Sequence, residues 1–194
     1  LPTGAHLAYL PNPGYIRLRL DVAGNDDKTV QATADSGANE LKAILGNLLI
    51  AEADLTAEEI LLDALRGRGL TVATAESCTG GNIAHRITMI PGASDFYPGS
   101  VVSYSNEVKM NLLGVDAAVL EAYGAVSEPV ARQMADGARR ALGADCAVAT
   151  SGIAGPSGGS PEKPVGTVCM AFATPEGTDT ATFHFPGDRA RVID

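Results

Sequence analysis

The run Thr71-Val-Ala-Thr-Ala-Glu-Ser-Cys-Thr-Gly-Gly81 decides how this chain is read. Residues 71–75 are small or β-branched, as a strand requires. The charged Glu76, two hydroxyls (Ser77, Thr79) and the pair Gly80-Gly81 follow, and residues 82–89 read as a helix. The order strand, turn, helix sets Ser77 at the carboxyl end of a strand, where open α/β sheets bind their ligands. It also turns backbone N–H groups and the positive end of a helix toward that place, which suits a phosphate or a developing oxyanion. Read as structure alone, the same residues make a tight βα turn in which Thr79 or Ser77 caps the helix.

Downstream, strands and helices alternate. Residues 100–104 form a strand followed by a helix over 106–113. Ser127 caps a long helix over 129–142, with Pro129 in the first turn, where no N–H is missed. Residues 146–150 read as a buried strand. After a long Gly/Pro loop, residues 166–173 and 178–185 read as a hairpin about Pro175-Glu176-Gly177. Upstream, Thr56-Ala-Glu-Glu59 is a capping box that opens a helix over 57–68, stopped by Gly67 and Gly69. Such alternation predicts a three-layer α/β/α sandwich around a mixed, mainly parallel sheet with a partly antiparallel edge.

The first fifty residues read as a small α+β module. Residues 6–10 and 15–22 alternate in strand fashion around the turn cluster Pro11-Asn12-Pro13-Gly14, and 24–28 is a polar turn. A helix over 33–45 and a short strand over 48–51 complete a β-β-α-β order, with no catalytic constellation. The expected organisation is a module over 1–51, a linker, and a larger domain over 55–194.

Composition narrows the partners. A net charge of −9 over 194 residues lacks the clustered Lys and Arg that nucleic acid demands, yet leaves room for a small anion. Cys78, Cys146 and Cys169 are odd in number and show no CxxC spacing, which suggests neither disulfides nor zinc and fits a reducing cytoplasm. Cys146 and Cys169 sit in apolar runs as small core residues. No stretch approaches the roughly 20 apolar residues of a membrane span, and no signal segment opens the chain. A start at Leu1 and an abrupt end at Asp194 are expected of a piece of a longer chain, in which a helix would follow.

Three loops follow strands and are expected to meet at one end of the sheet: 76–81, 104–109, and 150–159 running on to Lys163 and Pro164. A serine attacking an acyl carbon needs a base. His6, His85 and His184 sit in a remote strand, on a helix and in the last strand, and read as structural or surface residues. The G-x-S-x-G elbow is absent, and Ser160-Pro-Glu-Lys163 matches S-x-x-K only by chance within a Gly/Pro loop. Lys109 is the remaining candidate base, since burial can lower a lysine's pKa toward neutrality. Its bland alternative is an exposed lysine on a helical turn. Cys78 is a weaker candidate nucleophile, and no H-x-x-H or D-x-D cluster points to a metal.

The ordered motifs A-E-S-C-T-G-G, Y-S-N-E-V-K, G-A-V-S-E-P-V-A-R-Q-M-A, T-S-G-I-A-G-P-S-G-G with K-P-V-G, and F-P-G-D-R resemble the C-terminal domain of the competence-damage-inducible (CinA) family. That resemblance implies a nicotinamide-nucleotide amidase, which hydrolyses nicotinamide mononucleotide to nicotinate mononucleotide and ammonia in pyridine-nucleotide recycling without a cofactor. It implies Ser77 as nucleophile, Lys109 as general base and Tyr104 as an aid to proton transfer or orientation. On the substrate side it implies Glu76, Thr79, Gly80, Gly81, Ser151, Gly152 and Gly155, with Arg189 or Arg191 on the phosphate. The family usually has Thr where this chain has Ser151, so the hydroxyl is kept. A cytoplasmic homodimer is implied as well. The leading segment, with Y-L-P-N-P-G-Y-I-R-L-R-L, is similar to the family's KH-type linker domain, although no GXXG loop for RNA occurs over residues 1–50. The alternative reading is a module that binds nucleotide through the same Gly-rich loops without turnover.

Overall fold

The alternating residues near the start of the chain pair with one another. A computed structural model describes residues 1–12 and 15–194. In it, Ala5–Asn12 (β1) and Tyr15–Val22 (β2) run antiparallel, with Ala5 opposite Val22 and Asn12 opposite Tyr15. Pro13 and Gly14 of the expected turn lie outside the described residues. Asp27–Leu45 (α1) starts earlier than its apolar spacing suggests, because the Asp26 side chain accepts the Thr29 N–H at 2.9 Å and caps the helix. The strand expected over 48–51 does not form. Gly46–Leu48 is instead a 3₁₀ turn, and the β1–β2 sheet of this unit has two strands only. A strand is stable only with a neighbouring ladder, and here Leu48 is 81% and Ile50 70% exposed. The contacts of the chain divide it into this unit, Leu1–Thr56, and a larger one, Ala57–Asp194.

The larger unit begins with Ala57–Arg66 (α2), Val72–Glu76 (β3) and Asn82–Thr88 (α3). Gly99–Val102 (β4), Asn106–Leu113 (α4), Ala117–Tyr123 (α5) and Glu128–Leu142 (α6) follow. Cys146–Gly152 (β5), Thr167–Thr174 (β6), Gly177–His184 (β7) and Arg189–Ile193 (α7) end it. Sequence reading assigns neither α5 nor α7. Both are short helices set by a capping aspartate: Asp116 accepts from Ala118 N, and Asp188 from Arg191 N. Ser127 does occupy the N-cap position of α6, but its hydroxyl donates to the Gly124 carbonyl at 2.8 Å and caps nothing.

The strands order as β4-β3-β5-β6-β7. β3 lies parallel between β4 and β5, while β6 runs antiparallel to both β5 and β7. Four strands therefore point one way and β6 the other, in a mixed sheet. Period-two alternation gives each face its own core. Ala73, Ala75, Ala147, Ala149 and Ala171 face α6, whose Val130, Ala131, Met134, Ala135 and Ala138 are fully buried, with α4 and α5 beside it. Val72, Cys146 and Val148 face the other way, onto Leu62 and Leu65 of α2, Ile87 of α3, and Phe96. The alanine-rich face lets α6 approach the sheet closely. The result is a three-layer α/β/α sandwich. Among the described residues, no helix is long and apolar enough to cross a membrane.

The crossing of α6 with the end of α4 is tighter still, for a Cβ at Gly137 would run into the Leu113 backbone. Helix propensity alone predicts that Gly137→Ala stabilises by about 1 kcal/mol. The crossing predicts the opposite sign, a loss of about 1–3 kcal/mol from overpacking, which urea unfolding measures.

Candidate active site

The carboxyl end of β3 is built around a carboxylate. Glu76 has no exposed surface. Its Oε2 accepts from Thr79 Oγ1 at 2.7 Å, Gly81 N at 3.0 Å and Ile83 N at 3.1 Å, and its Oε1 accepts from Ala84 N at 2.8 Å. The three amides are orphan N–H groups at the start of α3, whose N-cap, Gly81, has φ 101° and no side chain to cap with. A negative charge there is favoured by the helix dipole. The end of α3 is thus filled from within the chain. Of the residues expected on the substrate side, Glu76, Thr79, Gly80 and Gly81 lie in this turn and do not line the cavity beside Ser77. Thr79 instead bridges Glu76 and the Thr150 hydroxyl, at 2.8 Å from the latter.

Ser77 follows directly. Its N–H donates to the Thr150 carbonyl at 3.0 Å, continuing the β3–β5 ladder, and its hydroxyl points at Lys109 of α4. Side chains on a helix lean toward its N-terminus. Accordingly, Lys109 Nζ reaches back to Ser103 O at 2.7 Å and Tyr104 O at 3.4 Å, and lies 3.1 Å from Ser77 Oγ. The side chain is 1% exposed. Burial lowers the Lys109 pKa from its usual 10.5, while the neighbouring Cys78 acts the other way. The two carbonyls can only accept. In a neutral amine they take both N–H groups and leave the lone pair on Ser77 Oγ. Burial also pushes the Cys78 thiol up from its usual 9.0, which keeps it protonated and weak as a nucleophile.

Ser77, Lys109 and Cys78 border a cavity of about 210 Å³. Ser151 and Gly152 form its floor. The Ser151 hydroxyl donates to Ala125 O at 2.7 Å, and a Cβ at Gly152 would lie 2.9 Å or less from Cys78 Sγ, Val168 and the Thr167 carbonyl. Ala125, Val126 and Ala154 add apolar wall. Lys163, far off in sequence, fixes that wall by donating to Tyr123 O at 2.8 Å and Val126 O at 2.7 Å. At the mouth, Arg189 Nη1 donates to Gly155 O at 2.8 Å and Nη2 to the Tyr104 hydroxyl at 3.2 Å. Gly155 is therefore present through its carbonyl rather than as lining. Arg189, and not Arg191, borders the cavity. Val192 of α7 packs with Cys78, Ala154 and Val168, which anchors Arg189 there.

Sequence reading misses Asn106, Ala125, Val126 and Ala154. Only Asn106 leaves a signal: it stands three residues before Lys109 on one helix, hence on the same face. The alanines and Val126 are wall residues of a kind found throughout any core.

A serine hydroxyl held against a buried lysine, at the carboxyl end of a parallel strand, defines a class: three-layer α/β proteins with a Ser–Lys pair at the carboxyl edge of the sheet. Within that class the chain belongs to the CinA family, its residues 54–194 matching the CinA C-terminal domain. A CinA-like protein of Chlorobaculum tepidum is 46% identical over 194 residues, covering 97% of this chain and 46% of the relative. Another, from Salinibacter ruber, is 48% identical over 183 residues, covering 94% and 44%. The chain thus spans a little under half the length of these relatives. Among solved structures, competence damage-inducible protein A of Klebsiella pneumoniae superposes with a TM-score of 0.67 at 42% identity, over 71% of this chain and 84% of that one. A CinA superfamily protein of Escherichia coli gives 0.68 at 36% identity, over 77% and 90%.

Two stability measurements check this geometry. Glu76→Ala strips the α3 terminus of its acceptor and is expected to cost on the order of 2–3 kcal/mol by chemical unfolding. For Lys109 the folded pKa lies below 10.5, so between those two values the unfolded chain binds more protons. Unfolding free energy then rises with pH across that window. The wild type is expected to gain stability relative to Lys109→Met from neutral pH toward about 10; parallel curves would contradict a lowered pKa.

Proposed function

We propose that this chain is a metal-independent amidohydrolase that deamidates nicotinamide mononucleotide to nicotinate mononucleotide and ammonia through Ser77 and Lys109. The observation that carries the reading is the 3.1 Å contact between Ser77 Oγ and the buried Lys109 Nζ, whose other two contacts are carbonyl acceptors. Membership in the CinA family supports it.

The chemistry follows from the contacts. Lys109 Nζ takes the Ser77 proton as Oγ bonds to the carboxamide carbon, and the carbonyl electrons move onto oxygen. Collapse of that oxyanion breaks the C–N bond, and Lys109 returns its proton to the departing nitrogen as ammonia. Water, deprotonated by the same amine, then attacks the acyl–Ser77 ester; the ester C–O bond breaks, Lys109 returns the proton to Ser77 Oγ, and the released acid gives its own proton to water and leaves as a carboxylate. A pyridinium ring withdraws electrons from the scissile carbonyl and eases both attacks. The Tyr104 hydroxyl accepts from Arg189, so its own proton is free to point at the substrate.

The cavity of about 210 Å³ is smaller than the roughly 300–1,000 Å³ common for ligand pockets. It suits the pyridine ring with its carboxamide and leaves ribose and phosphate at the mouth. There the Arg189 guanidinium, with donors beyond the two in use, offers a fork to phosphate. The family resemblance adds a cytoplasmic homodimer, with the first unit as a KH-type linker.

Ser77→Ala is expected to abolish ammonia release from nicotinamide mononucleotide in an EDTA-resistant assay, with the fold intact by circular dichroism. Unchanged release would remove Ser77 as nucleophile. Because the base must be neutral, kcat/KM is expected to rise with pH through the lowered Lys109 pKa, and Lys109→Met to lose activity at every pH. A wild-type profile in that variant would remove Lys109 as base.

A further inference from the structure

The polar side chains bordering the cavity are almost all committed to the protein itself. Ser77 and Lys109 hold each other, Ser151 holds Ala125 O, and Arg189 holds Gly155 O and the Tyr104 hydroxyl. Asn106 is the exception. Its carboxamide borders the same cavity and makes no hydrogen bond among the described residues. Nor is it needed to start α4, since Ser105 caps that helix by accepting the Val108 N–H at 3.3 Å.

Its position relative to the reacting atoms follows from the lysine. Lys109 Nζ lies over the start of α4, against the carbonyls of Ser103 and Tyr104, and Asn106 is the first residue of that helix. A group lodged in the cavity against Ser77 Oγ and Lys109 Nζ shares that lining with Asn106. A leaving nitrogen occupies that place, because it must receive its proton from Nζ. A primary amide carries an N–H there that needs an acceptor, whereas an ester oxygen carries none.

We propose that Asn106 accepts the N–H of the scissile carboxamide through Oδ1 and so selects amides over esters, an inference that rests on the amidase reading above. The hydrogen bond orients the nitrogen's developing lone pair toward Lys109 Nζ and leaves acylation of Ser77 otherwise unchanged. A site built to pair with a substrate N–H discriminates against analogues that lack it.

The test compares two substrates, nicotinamide mononucleotide and the methyl ester of nicotinate mononucleotide, on the whole chain and on Asn106→Ala and Asn106→Leu. Circular dichroism and thermal unfolding check that both variants fold; Asn106 is exposed at its helix start, and the leucine keeps its bulk. Expected is a loss of roughly tenfold in kcat/KM for the amide, the scale of one hydrogen bond, with ester hydrolysis within about twofold of wild type in both variants. Equal losses on both substrates, or none on either, would overturn the Asn106 assignment while leaving the amidase reading in place. A wild type that cleaves neither substrate would overturn the amidase reading and this inference with it.

Discussion

A carboxylate with no exposed surface holds the site together. Glu76 ends β3 and at once receives the first free N–H groups of α3, so strand, turn and helix are tied through one side chain. An unpaired carboxylate in that position would cost several kcal/mol, and three unsatisfied amides would cost more on the other side. Each satisfies the other. The turn that this exchange fixes has little freedom left, and Ser77 stands at its first residue. The serine's direction toward α4 is therefore set before any ligand arrives, the preorganisation that the proposed acyl transfer calls for.

The second constraint is a lysine buried without a carboxylate partner among the described residues. Its contacts are two carbonyls and a hydroxyl, which satisfy hydrogen bonds but do not neutralise charge. This arrangement favours proton exchange over permanent charge, and it separates Lys109 from surface lysines such as Lys42, which pairs with Glu52.

Much of this was legible in the sequence, for reasons that differ from residue to residue. The strand–turn–helix order around Ser77, the helix carrying Lys109 and the hairpin of β6 and β7 follow from local periodicity and turn chemistry. The roles within the turn were not legible. Glu76, Thr79 and the glycine pair look equally suited to a ligand or to a helix terminus, and the turn of the Glu76 side chain onto the Gly81, Ile83 and Ala84 amides leaves no mark in the sequence. The short helices α5 and α7 carry too few periodic residues to stand out, and each depends on one capping aspartate. Residues 48–51 are apolar enough for a strand, yet they have no ladder to join. The partnership of Lys163 with the 123–126 wall spans 37 residues to Val126 and leaves no local mark. Arg189 and Arg191 are indistinguishable by spacing, and the burial of Val192 against Cys78 separates them.

The absence of a side chain at Gly152 bears on how such a site can diverge. Any larger residue there meets Val168, Cys78 and the Thr167 backbone at once, so the inner end of the cavity has almost no neighbouring sequences through which to change. The mouth is different. Tyr104 is 63% exposed and shares it with Arg189, where substitutions meet water rather than packed atoms. Selection for new ligands would find its variation at this outer rim, while the bottom of the cavity stays fixed. On the proposed chemistry, a chain of this build can exchange its substrates far more readily than the bond it breaks.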